Sequence, residues 1–158
     1  DNIQGNAMEL DIEIEPENAK LIELKVLRSP AEEEFTRILF HGESGMKVKD
    51  GPRRDRQQRV FAHGTLTIDT SRSSTLNTVI ARPPEVAPVL LRKKKTIKMR
   101  VFIDKSIVEV FINGVQCSAV RVYPEQKDSL GVSLRAIGGN AQLVSLDAWQ
   151  MENIYESN

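Results

Sequence analysis

Asp104 and Glu109 interrupt an otherwise apolar run in the stretch RVFIDKSIVEVFING, residues 100–114. Paired carboxylates do acid and base work in glycoside hydrolysis when held about 5 to 9.5 Å apart, the distance depending on stereochemistry. Spacing along the chain does not show that distance, so a catalytic and a structural reading stand side by side. In the structural reading Glu109 shares a strand face with Ile107 and Phe111, opposite Val108, Val110 and Ile112. Asp104 precedes Lys105 and Ser106, where the strand must turn and an aspartate commonly bonds nearby backbone amides. Burying a charge without a partner is costly, and this favours a structural or interface role over catalysis.

The other chemistry-bearing residues divide in the same way. Asp69, Arg72 and Ser73 in LTIDTSRSS offer polar groups for sugar hydroxyls, yet Asp and Ser at a strand end usually make turn hydrogen bonds. Trp149, Tyr123 and Phe111 could stack on a sugar ring, but a lone Trp ending an alternating strand is more often a core or interface plug. With eight aromatic residues in all, no extended platform for polysaccharide is evident. The basic runs RRDRQQR (53–59) and RKKK (92–95) lack a recognition-helix pattern and interleaved aromatics, so they read as solvated loops rather than a nucleic-acid surface. His41 and His63 read as surface or turn residues. Cys117 is the only cysteine, which excludes an internal disulfide and argues against a zinc site, so no metal or cofactor is expected.

The elements that position these residues show in the alternation of apolar and polar side chains. Met8, Leu10, Ile12 and Ile14 alternate with Glu9, Asp11, Glu13 and Glu15, an outer strand with one wet, acidic face closed by Pro16. Ile22, Leu24 and Val26 repeat the theme, and EEFTRILFHG gives a third strand. A short strand near Met46 to Val48 belongs to a long hairpin or insertion reaching to Ala62. Leu66 and Ile68 resume the alternation, and Pro83, Pro84 and Pro88 mark residues 82–88 as a loop. Ile97, Met99, Val101 and Ile103 form an inward row, followed by a strand from Ile107 to Ile112. Asn113 and Gly114 are the preferred pair for a two-residue hairpin turn, which sets Ile112 opposite Val115, Val110 opposite Cys117 and Val108 opposite Ala119. Two further rows complete the pattern, Leu130, Val132, Leu134 and Ala136, then Val144, Leu146 and Ala148 after a Gly138-Gly139-Asn140 turn.

Roughly ten short strands without a sustained helical period predict an all-β fold, a two-sheet antiparallel β-sandwich of jelly-roll or concanavalin-like type. At 158 residues the chain fits a single domain, 1–158. The 22 basic and 22 acidic residues cancel, leaving no net field to attract nucleic acid or an anionic membrane, and no apolar stretch has membrane-span length. The N-terminus has no signal-peptide pattern and no initiator methionine, and so reads as a processed chain or a fragment.

Three stretches together, LTIDTSRSS, RVFIDKSIVEVFING and RVYPEQKDSLGVSLRAIGGNAQLVSLDAWQM, resemble the C-terminal β-sandwich domain of glycoside hydrolase family 32, the β-fructosidases that include invertases, levanases and inulinases. GNAMELDIEIEP is similar to the strand that opens that domain. The resemblance implies a retaining hydrolase of fructosyl bonds whose catalytic aspartates and glutamate sit in a separate N-terminal β-propeller. The chain has no Asp-Pro and no Glu-Cys, and Trp149 is followed by Gln150, so none of the propeller motifs is present. The resemblance therefore implies a non-catalytic accessory domain, a fragment of a larger enzyme, with the propeller of the same parent chain as partner. Asp104, Ser106, Glu109 and Phe111 are its domain-interface candidates. A fructan or sucrose ligand, with Asp69, Arg72 and Trp149 as contacts, and a homodimer are further expectations. A free-standing lectin-like sandwich is the remaining alternative.

Overall fold

The computed structural model describes residues 3–42, 48–49, 60–91 and 96–152, with the backbone alone for 48–49 and 60–63. The basic runs at 53–59 and 92–95 lie outside these residues. Eleven strands are found among them: β1 (Ala7–Glu15), β2 (Leu21–Arg28), β3 (Thr36–His41), β4 (Val48–Lys49), β5 (Val60–Asp69), β6 (Glu85–Leu91), β7 (Ile97–Asp104), β8 (Ile107–Ile112), β9 (Gln116–Arg121), β10 (Gly131–Ile137) and β11 (Gln142–Gln150). Every pairing is antiparallel. They form a five-stranded sheet, β11-β1-β7-β8-β9, and a six-stranded sheet, β10-β2-β3-β5 with β4 and β6 both paired to β5.

The core between the sheets is built from the rows that the alternation picks out. Met8, Leu10 and Ile12 of β1, Met99, Val101 and Ile103 of β7 and Val108, Val110 and Ile112 of β8 face Leu24, Ile38, Phe40, Leu66 and Ile68 of the second sheet, all of them buried. Side chains of period two point to one face, so each strand contributes a full row at little cost in exposed apolar surface. Gly64 makes room for this packing, because a β-carbon there would come within 2.6 Å of the Phe40 ring. β1 is not an outer strand: it lies between β11 and β7, and its acidic face is met by basic residues of β7.

Two other expectations are corrected. Of residues 82–88, expected as a loop, 85–88 instead begin strand β6 (Glu85–Leu91), with Pro88 opposite Thr65 of β5. Proline lacks only its own N–H, and among the described residues β6 is an edge strand paired with β5 alone, which is where a strand proline is tolerated. The Asn113-Gly114 turn does form, with both residues at positive φ and the Val115 N–H donating to the Ile112 carbonyl at 3.0 Å. The ladder beyond it is displaced by one residue, however, pairing Ile112 with Gln116, Val110 with Ser118 and Val108 with Val120. Val115 is the extra residue. A one-residue slip turns every side chain of β9 over, so Cys117, Ala119 and Arg121 point out rather than in.

Bulges also modify the rows of the other strands. Leu27, at φ 48, lies where β2 and β10 lose register, and the bulge turns it inward although it follows inward-facing Val26. Val144 lies where β11 shifts against β1 and is left half-exposed, while Leu146 stays packed on the core.

Candidate functional site

The interface candidates lie on or beside the outer face of the five-stranded sheet. Register carries residues into rows across it: Trp149, Glu9, Phe102, Glu109 and Ala119 form one row, and Asp147, Asp11, Arg100, Phe111 and Cys117 the next. Asp104 faces Ile107 at the β7–β8 turn, where Lys105 takes the left-handed φ of 52. Three of the four candidates, Asp104, Glu109 and Phe111, therefore share one face. Ser106 is at the end of that ribbon, its carbonyl accepting the Val122 N–H at 2.9 Å, and it lines a separate cleft with Asn6, Tyr123 and Gln126.

The middle of this face is aromatic. Phe102 and Phe111 meet edge to face, with ring centroids 5.9 Å apart, and the Arg100 guanidinium lies 5.1 Å from the Phe102 centroid. Around them charges pair across strands, Arg100 with Glu9 at 2.5 Å and Lys98 with Glu13 at 3.0 Å. Those hydrogen bonds and charges hold both bases above their ordinary pKa. Burial, and then the charge of Glu109, pushes the Cys117 thiol up, away from a reactive thiolate.

One cleft opens on the face and another at its β9 edge. One of about 320 Å³ is lined by Asp11, Lys98, Arg100, Phe102, Phe111 and Gly114. The other, about 420 Å³, lies between Ile107, Glu109 and Arg121 on one side and Arg82 and Glu85 on the other. Ile107 is 39% exposed and Trp149 50%. Carboxylate, guanidinium and phenyl groups so arranged suit contact with a partner surface or a polar ring. Among the described residues no group of three or more His, Cys, Asp or Glu could hold a metal ion.

The sugar-contact candidates are not brought together. Trp149 is on the five-stranded sheet, whereas Asp69 and Arg72 belong to the end of β5 in the other sheet. Asp69 pairs with Arg37 and accepts the Ser71 N–H at 2.9 Å. Burial alone would raise its pKa, but bonds from Ser71 and Arg37 outweigh that and lower it. Arg72 donates to the Glu32 carbonyl at 2.7 Å and stacks 4.7 Å from the Phe35 centroid. Ser73 is buried and shares a 2.9 Å hydrogen bond with Thr36.

Sequence reasoning missed Glu34, which is fully buried. Its carboxylate accepts bonds from the Ser129 hydroxyl (2.5 Å) and from the main-chain N–H groups of Gln126 (2.8 Å), Glu125 (3.1 Å) and Thr75 (3.1 Å). Burial would raise its pKa, yet these bonds hold it below the ordinary value. It ties the β2–β3, β5–β6 and β9–β10 connections together at one end of the sandwich. Nothing in the run of three glutamates at 32–34 distinguishes it from its neighbours.

Residues 1–150 match the family model described as "Glycosyl hydrolases family 32 C terminal". No curated protein sequence matches the chain. Among solved structures it is similar to an exo-inulinase from Aspergillus awamori, with TM-score 0.73 and 17% identity over 94% of this chain and 26% of that one. It is also similar to fructan 1-exohydrolase IIa from Cichorium intybus, with TM-score 0.72 and 16% identity over 97% of this chain and 33% of that one. A third similar structure, galectin LEC-6 from Caenorhabditis elegans, has TM-score 0.59 and 10% identity, covering 95% of this chain and 89% of that one. At such identities the likeness is one of fold. The chain thus spans a quarter to a third of the length of the first two.

Proposed function

The chain belongs to the family of glycosyl hydrolases family 32 C-terminal domains, and from that premise we propose that it is a non-catalytic accessory domain, residues 1–158, of a larger fructan- or sucrose-hydrolysing enzyme. Its task is to pack against the catalytic module and hold it in fixed relation. The observation that carries this reading is the outer face of the five-stranded sheet. There the Phe102–Phe111 pair stays partly exposed beside the Glu9–Arg100 and Glu13–Lys98 ion pairs, as do Ile107 at the β7–β8 turn and Trp149 on the edge strand β11. Apolar side chains left partly exposed among charged ones on one sheet face are what an interface offers before its partner is added. Asp104, Glu109 and Phe111 lie within it, and Ser106 borders it.

The reading is tested by assaying the 158-residue chain against sucrose, levan and inulin. No turnover above a heat-denatured control is expected, and clear turnover would sink the proposal. A second reading, sugar binding, is favoured by the cleft that places Asp11 and Arg100 beside two phenyl rings. Calorimetric titration with fructo-oligosaccharides separates the two. Saturable heat that disappears in Phe111→Ala selects sugar binding, and its absence leaves the docking role.

A further inference from the structure

We propose that the Asn113-Gly114 turn is a site of covalent self-modification, at which the Gly114 nitrogen closes on the Asn113 carboxamide and water reopens the ring as aspartate or isoaspartate. Asn113 is the only asparagine of the chain that precedes a glycine. Its carboxamide is engaged on one side: Oδ1 accepts the Lys98 main-chain N–H at 3.1 Å, while Nδ2 has no partner among the described residues. A donor at that distance polarises the carbonyl and stands where the oxyanion of an attacked amide needs it. The nucleophile is equally open. The turn closes through the Val115 N–H at 3.0 Å, so the Gly114 N–H is left without an acceptor among the described residues. Gly114 is exposed, and a β-carbon there would meet nothing within 4 Å.

In the step itself the Gly114 nitrogen bonds to Asn113 Cγ, the Cγ–Nδ2 bond breaks, and ammonia leaves carrying the Gly114 proton. Water then cleaves the cyclic imide. Cleavage at Cγ leaves aspartate, and cleavage at the main-chain carbonyl leaves isoaspartate, with the chain continuing through the former side chain. The two products act differently on the hairpin. Asn113 also donates its N–H to the Lys98 carbonyl at 2.9 Å, so with Oδ1 it completes a rung beside β7. Aspartate keeps both bonds and adds a negative charge next to the cleft lined by Lys98, Arg100 and Phe111. Isoaspartate inserts a methylene into a two-residue turn whose left-handed φ values, 53 and 65, set the register of β8 and β9.

The test is peptide mapping by mass spectrometry of the folded 158-residue chain after storage in warm, mildly alkaline buffer. Trypsin releases residues 106–121, in which Asn113 is the single asparagine. That peptide should gain one mass unit at position 113 and split into two chromatographic forms. The gain should be about tenfold or more faster than at Asn77 or Asn140, where the next residue sets a side chain against the attacking nitrogen. Gly114→Asn accepts the left-handed φ and has open space, so it should fold, as read by circular dichroism, and slow the reaction at 113 about tenfold. An intact Asn113 in the folded chain overturns the proposal, and reaction in urea alone would show that the turn shields the amide. Equal rates at Asn77 or Asn140 overturn it as well, and so does a folded Gly114→Asn variant that reacts unchanged at 113.

Discussion

The outer faces of the two sheets are built from the same kinds of side chain and end in opposite states. On the six-stranded sheet, Glu23 and Lys25 of β2 are buried, paired with Arg135 and with Glu32 respectively. The connection from Ser29 to Phe35 folds back over that face, placing Phe35 under the ammonium of Lys25 at 4.3 Å and the guanidinium of Arg72 at 4.7 Å. On the five-stranded sheet, ion pairs between β1 and β7 lie beside Phe102 and Phe111, but the rings and Ile107 keep part of their surface. Cross-strand ion pairs alone do not close a sheet face. A covering segment anchored by buried polar groups does, since each aromatic it covers leaves water and each backbone group it brings in finds a partner.

The sharpest way to break the closed face is to remove its anchor. Glu34→Ala strips a buried acceptor from four donors and should cost about 3 kcal/mol or more of unfolding free energy, read by urea denaturation. Next comes pH. Glu34 has a folded pKa below the value near 4.5 of a free glutamate, so the folded state binds fewer protons and its contribution is complete above that value. Stability should fall as pH drops below 4.5 and through the folded pKa, with Asp69 and Glu32 adding to the slope because theirs are lowered too. Glu34→Gln should flatten that slope, and an unchanged slope would remove Glu34 from the account.

Smaller effects probe the remaining contacts. Arg72→Ala loses the stack on Phe35 and the bonds to the 32–33 carbonyls, with an expected cost of about 1 kcal/mol. On the open face, Phe111→Ala forfeits the edge-to-face pair for about 1 kcal/mol beyond its lost burial. Trp149→Ala should change stability by no more than about 0.5 kcal/mol, as for a surface substitution. If Trp149→Ala proved as costly as Glu34→Ala, the contrast between the two faces would fail.

Much of this fold is legible along the chain. The inward rows of β1 and β7 read directly from alternation, because a period-two pattern has one solution when one face is wet. The Asn113-Gly114 turn is legible too, since those residues accept the left-handed φ that the turn needs. The face of β9 is not: the bulged Val115 costs one residue of register, and local sequence does not announce it. Pro88 misleads for a related reason. Its effect depends on whether its N–H side faces a neighbour, and that is a property of strand order.

The candidate face divides along the same line. The sequence by itself determines that Glu109 and Phe111 share one side of a strand and that Asp104 stands at its turn, because side-chain direction in a strand is a local property. Only the tertiary structure decides which carboxylates are buried. Glu32, Glu33 and Glu34 are neighbours of one type, yet Glu34 alone meets amides from connections about 41 and 92 residues away, and long-range convergence of this kind has no local signature. Tertiary structure likewise sends Asp69 and Arg72 into the closed sheet and leaves Trp149 on the open one, because sheet membership is set by strand order rather than by side-chain type.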